Sequence, residues 1–301
     1  WPVIMLHLHN WLLVKIPFSD PTPQDGVHHH YLADISADGR FVVFATAAAD
    51  LLHGQTDNAT QLYLLDRESR HTRRLRLKGV GRVEFGQPAI SADGRTVAVV
   101  ARTSQAFWQL YLFDIESGQS ESIGEGNRFT KPVISADGHL ITYYESLLSL
   151  VVYDQQAQSV TTLTPDLIEN GRYFLSHKGP FQPLGPLHLS ADGRYLAFAA
   201  ELTTELACVT VIYDLNQNNV VFQLPSCHDF ALTRDGRYLI SRQNFGHNQF
   251  GNPVSNLSAQ AWRTGETRRI NDSGTLKAVS ADGHIILYRS QRGGDIVWSD
   301  L

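Results

Sequence analysis

Six copies of a Ser/Thr-x-Asp-Gly stretch run through the chain, and their carboxylates are the first groups to weigh for chemistry. "ISADGR" occupies Ile35–Arg40 and returns at Ile90–Arg95, with variants at Ile134–His139, Leu189–Arg194, Leu232–Arg237 and Val279–His284. Carboxylates can hold a metal or act as acid and base, but only where they converge. These Asp-Gly pairs start at 38, 93, 137, 192, 235 and 282, which gives spacings of 55, 44, 55, 43 and 47 residues. One acid per repeat is expected to build a hairpin instead. Gly takes the left-handed conformation at no steric cost, and Ser and Asp accept nearby backbone N–H groups.

The elements around each turn repeat as well. A short apolar run leads into it, and a β-rich run follows at once: "FVVFAT", "TVAVVA", "LITYYE", "YLAFAA", "YLISRQ", "IILYRS". A third segment reads "LYLLD", "LYLFD", "VVYD" or "VIYD", with the degenerate forms "AQAW" and "IVWSD". A fourth is more polar, as in "TRRLRL", "SESI", "SVTTLT", "VVFQL" and "TRRI". β-Branched and aromatic enrichment broken by Gly and Asn predicts strands, and no stretch carries a helical period.

Antiparallel four-stranded units at this period specify a β-propeller. The Ser-Ala-Asp-Gly core resembles the TolB-type β-propeller repeat, which usually reads Ser-Pro-Asp-Gly before a strand. Ala stands at the Pro position in five copies, and Arg234 replaces it in the fifth copy along the chain. The resemblance covers nearly the whole chain. It implies an all-β fold, a single six-bladed propeller over 1–301, and a propeller alone rather than TolB itself. The approximate blades are 28–78, 83–124, 130–164, 184–225, 228–271 and 275–301 plus 11–17. In this arrangement "WLLVKI" (Trp11–Ile16) supplies the outer strand that the last blade lacks and closes the ring. The opening segment is apolar but broken by His7, His9 and Asn10, and too short to span a bilayer. The chain starts at Trp1, which fits a processed or truncated chain such as one that has lost a secretory signal.

Strand order assigns the two ends of such a scaffold. The Asp-Gly turns share the short-turn end. The long segments 19–30, 47–61, 165–186 and 243–256 share the other, where binding residues usually collect. The first strand of each repeat lines the channel. One of its positions is uniformly apolar: Ile35, Ile90, Ile134, Leu189, Leu232 and Val279. The alternate side holds Asp34, Lys131, His188 and Asp229, expected to face the channel, with His28, His30 and His228 near its mouth. Such His and Asp groups suit ligand contact, a metal, or acid-base work. They come from different repeats without a His-x-x-x-His pair, so a polar, solvated channel is the simpler expectation.

Other features have weaker claims. Segment 67–82 carries seven Arg/Lys and one Glu, which suits an acidic partner or simply protects an edge strand. Cys208 and Cys227 are brought near each other by antiparallel pairing through "DLNQNN". A disulfide there fits an oxidising compartment, and two buried thiols are the alternative. Asp57 and Asn58 offer oxygens for calcium but lack the ordered spacing of a calcium loop. Two cysteines exclude a disulfide-rich scaffold and a four-cysteine zinc site. A formal net charge of -5 does not mark a nucleic-acid binder. No Gly-x-Ser-x-Gly elbow, phosphate loop or His-Glu-x-x-His helix occurs.

These features lead to a non-catalytic binding or scaffolding propeller with a protein partner, a subunit of a larger assembly, without cofactor, nucleic acid or transmembrane segment. Its expected place is the bacterial periplasm, the cell surface or the medium. The alternative is a lyase or hydrolase acting on a glycan or small ester through His and Asp at the channel.

Overall fold

Every β-rich run becomes a strand in the computed structural model, and the described residues contain no helix. The structure describes residues 32–46, 60–77, 83–103, 107–125, 131–145, 149–164, 173–174, 186–202, 208–225, 229–247, 253–271, 274–279, 285–290 and 296–300. The chain divides into two compact units, 1–146 and 147–301.

In the first unit β1 (Leu32–Ile35), β2 (Phe41–Thr46), β3 (Gln61–Asp66) and β4 (His71–Leu75) form one antiparallel sheet in chain order. A second follows the same plan with β5 (Val83–Ile90), β6 (Thr96–Thr103), β7 (Gln109–Asp114) and β8 (Ser120–Glu125). The hairpin of β9 (Val133–Ile134) and β10 (Leu140–Tyr144) completes the unit. The second unit opens with the hairpin of β11 (Leu150–Asp154) and β12 (Ser159–Leu163). Next come β13 (Tyr173–Phe174), β14 (His188–Leu189), β15 (Tyr195–Leu202), β16 (Cys208–Asp214) and β17 (Asn219–Leu224), in which β13 and β14 both pair with β15. A four-stranded sheet follows, made of β18 (Phe230–Leu232), β19 (Tyr238–His247), β20 (Pro253–Ala261) and β21 (Thr267–Asn271). Last come β22 (Gly274–Val279), β23 (Ile285–Ser290) and β24 (Ile296–Asp300), three strands among the described residues.

Burial explains the composition of each position. Residues Val42 to Ala45 of β2 are all buried, as is the whole of β15, so the second strands are apolar on both faces. Outer strands β8 and β12 are largely exposed, which matches their polar sequences. In the first unit Val43, Leu62 and Leu64 of one sheet pack against Val97, Val99 and Phe113 of the next. In the second, Ala197 and Ile212 pack against Phe230 and Leu239. The uniformly apolar position is buried at Ile35, Ile90, Ile134, Leu189, Leu232 and Val279.

The segments expected to be long connections are partly strand. β19 and β20 extend the 243–256 region into a hairpin with an irregularity between Asn244 and His247, and β13 draws Tyr173 and Phe174 onto β15. Thr60, Gln61 and Pro186 are also described; the rest of these segments, and Trp11–Ile16, lie outside the described residues.

The five described Asp-Gly turns share one hydrogen-bond plan. Ser36 Oγ donates to Asp38 Oδ1 and accepts the Phe41 N–H at 2.9 Å, while Asp38 Oδ1 accepts the Arg40 N–H at 2.9 Å. The same three bonds recur around Asp93, Asp137, Asp192 and Asp235. These carboxylates are therefore spent on the hairpin. Gly94 serves twice: its φ is +74°, and a Cβ there would come within 2.5 Å of the Phe41 ring of the preceding repeat. Ala37 N–H also donates to Ala92 O at 2.9 Å, so neighbouring turns are joined directly.

Candidate functional site

Strands β1, β5 and β9 bring three separate parts of the first unit to one carboxylate. Asp34 lies opposite Val43 in the β1–β2 ladder. Its Oδ2 accepts the backbone N–H of Ile90 at 3.0 Å, and its Oδ1 lies 3.0 Å from Lys131 Nζ. The two side chains keep 22% and 35% of their surface exposed, so the pair is half-screened by solvent. Both oxygens of Asp34 are engaged, so it acts as a clamp between repeats.

Asp229 precedes β18 in a left-handed conformation, φ +51°, which a short polar side chain tolerates. Its Oδ2 lies 3.2 Å from Arg242 Nε, and its carbonyl accepts the Arg242 N–H at 3.0 Å. His188 sits opposite Ala197, with its ring edge-on to Phe230 at 5.6 Å. Two sequence candidates, Asp34 and Lys131, thus meet each other, whereas Asp229 is tied to an arginine that sequence reading passed over. His28, His30, His228 and Cys227 lie outside the described residues, as do Asp57 and Asn58. Cys208, the first residue of β16, is disulfide-bonded. Among the described residues, no three His, Cys, Asp or Glu side chains group to hold a metal. No helix among them is long and apolar enough to cross a membrane.

Part of the basic segment is structural. Arg67 Nη1 donates to Gly39 O at 2.6 Å, and Arg73 Nη2 donates to Ile115 O at 2.6 Å. The second hydrogen bond fastens the outer strand of one sheet to a turn of the next.

Sequence reading missed a second repeated acid, although "LYLLD", "LYLFD", "VVYD" and "VIYD" displayed it. The final Asp of these strands caps the following turn. Asp66 Oδ1 accepts the N–H groups of Glu68 and Ser69, Asp154 Oδ1 those of Gln156 and Ala157, and Asp214 Oδ1 those of Asn216 and Gln217. Asp66 and Asp214 also receive the arginine that follows the Asp-Gly turn, Arg40 and Arg194 respectively. Hydrogen bonding by Arg40 holds the Asp66 carboxyl down at about 2. At Asp214 burial works to raise the pKa, but Arg194 and the turn amides outweigh it and the carboxyl is lowered.

No protein-family profile matches the chain, and no curated protein matches it in sequence. Solved structures do. The chain is similar to hydrazine synthase of Kuenenia stuttgartiensis, with a TM-score of 0.59, 15% identity, and coverage of 94% of this chain and 80% of that one. It is similar to an oligogalacturonate lyase in complex with manganese, with a TM-score of 0.63, 12% identity, and coverage of 89% and 76%. It is also similar to TolB from Acinetobacter baumannii, with a TM-score of 0.51, 14% identity, and coverage of 87% and 61%. At such identities the likeness speaks for the fold alone, and that fold is of the β-propeller type.

Proposed function

We propose that this chain is a non-catalytic binding or scaffolding propeller that holds a protein partner as a subunit of an extracytoplasmic assembly. The observation that carries this reading is the ion pair of Asp34 and Lys131 at 3.0 Å. Asp34 is engaged by Ile90 of the second repeat and Lys131 of the third, which ties up two of the polar groups best placed for chemistry, and Asp229 pairs with Arg242 within the fifth repeat.

The reading includes six blades at the sequence intervals given above, with Trp11–Ile16 adding a fourth strand beside β24 to close the ring. It also pairs Cys208 with Cys227, the only other cysteine in the chain. A disulfide supports a periplasmic, surface or secreted location, because reducing cytosol keeps thiols apart. The long connections, with His28, His30 and His228 near them, form the proposed binding end. The test is purification of the tagged chain from its native source. A stoichiometric protein partner is expected, together with metal content near zero.

A second reading is favoured by one likeness, the lyase with manganese. In it His28, His30 and His228, with His188, supply nitrogen donors for a metal at the channel mouth of a glycan-cleaving enzyme. Bound metal at one per chain, lost when His28, His30 and His228 are changed to Ala, would replace the scaffold reading with this one.

A further inference from the structure

The fifth repeat breaks the pattern of the second repeated acid. In the ladders of the other sheets, Phe41 faces Asp66, Thr96 faces Asp114 and Tyr195 faces Asp214. The corresponding residue Tyr238 faces Ala261. The carboxylate is gone, yet the turn arginine remains as Arg237, and Arg263 is added two residues beyond Ala261. Arg237 reaches Asp235 at 3.9 Å, at the edge of ion-pair range, and its guanidinium lies over the Tyr238 ring at 5.7 Å. The contacts of Arg263 are with neutral groups. It donates to Gly236 O at 3.2 Å and lies over the rings of Trp262 at 4.3 Å and Tyr195 at 4.6 Å.

This cation is exposed and held in place. Trp262 Nε1 donates to Gly236 O at 2.8 Å, and its ring meets Tyr195 edge-on at 5.2 Å, so the platform beneath Arg263 is fixed. A guanidinium stacked on rings is pre-organised to grip a carboxylate with two parallel N–H groups. Arg, Trp and Tyr are also the side chains that most often dominate binding between proteins. We infer that the short-turn end of the fifth repeat, centred on Arg263, Trp262 and Arg237, docks an acidic segment of a protein partner. A Glu or Asp of that segment supplies the carboxylate that Ala261 withholds. Two arginines on a chain of net charge -5 make no field for a polyanionic nucleic acid, so the partner is a protein. The inference rests on the binding reading above but uses the opposite end of the repeats from the long connections.

Calorimetric titration of the full chain with hexaglutamate, against hexaglutamine as control, tests it. Hexaglutamate is expected to bind at one per chain, to weaken with salt, and to weaken about ten-fold or more in Arg263→Gln and in Ala261→Asp. Ala261→Asp restores the internal carboxylate of the first and fourth repeats, so its melting temperature is expected to stay level or rise. Absence of hexaglutamate binding to the unaltered chain, or equal binding by both variants, overturns the site. If Ala261→Asp does not fold, Arg263→Gln alone decides. A native partner retained by Arg263→Gln removes this site and leaves the binding reading standing. Loss of hexaglutamate binding in that variant, with no native partner found, does the reverse.

Discussion

Arg40 grips Asp66 with two arms of its guanidinium, Nε to Oδ1 at 3.3 Å and Nη2 to Oδ2 at 2.9 Å. The pair joins the residue after one hairpin to the residue that caps the next, so two turns of a sheet are locked by one contact. Its consequence is a pH dependence. The Asp66 pKa is about 2 in the folded chain, against about 3.9 for an unperturbed Asp. A depressed folded pKa means the contribution is complete above the unfolded value and is lost as pH falls through the folded one. Asp66→Asn is expected to lower stability at neutral pH and to flatten the loss of stability between about pH 4 and pH 2. Urea unfolding across that range checks it.

Glycine substitutions separate backbone strain from packing. Gly118 has φ +68° with nothing within 4 Å of an added Cβ, so Gly118→Ala is expected to cost about 1 kcal/mol from conformation alone. Gly94→Ala adds a collision with the Phe41 ring and is expected to cost about 2 to 4 kcal/mol. Chemical denaturation of the two variants side by side gives the difference.

The Asp34–Lys131 pair is partly exposed, so its energy is modest. A double-mutant cycle with Asp34→Asn and Lys131→Met is expected to show a coupling of about 0.5 to 1 kcal/mol. That coupling should shrink in high salt, because an exposed pair is screened. A coupling of zero at low salt would return Asp34 to the list of groups available for chemistry.

Thiol titration of the denatured, unreduced chain is expected to find no reactive sulfhydryl, since Cys208 is disulfide-bonded. Reduction is expected to release two thiols and to lower stability by about 2 to 4 kcal/mol through the freed unfolded chain.

The strands and hairpins were legible because local chemistry makes them. Gly39 and Gly94 supply left-handed turns, Ser36 and Asp38 satisfy the turn amides, and β-branched runs fill the buried second strands. The apolar position from Ile35 to Val279 was read correctly for the same reason: period-two alternation reports burial directly. The 243–256 region was misread because Asn, Gly and Pro signal a loop, while cross-strand pairing extended β19 and β20 through it.

The candidate site was legible only as a set of residue types. Asp34 and Lys131 are far apart in sequence, and their meeting depends on how β1 and the segment before β9 are stacked. The terminal Asp of the third strands stood in plain view, but its pairing with Arg40 or Arg194 needs the ladder register. By itself the sequence determined the repeat, its turns and its buried positions, since these follow from conformational preference and hydrophobic alternation over a few residues. Tertiary structure alone decided which charges meet: it joined Asp34 to Lys131 and left Arg263 stacked on rings beside the ladder position where Ala261 faces Tyr238, because such distances are set by strand register and repeat stacking.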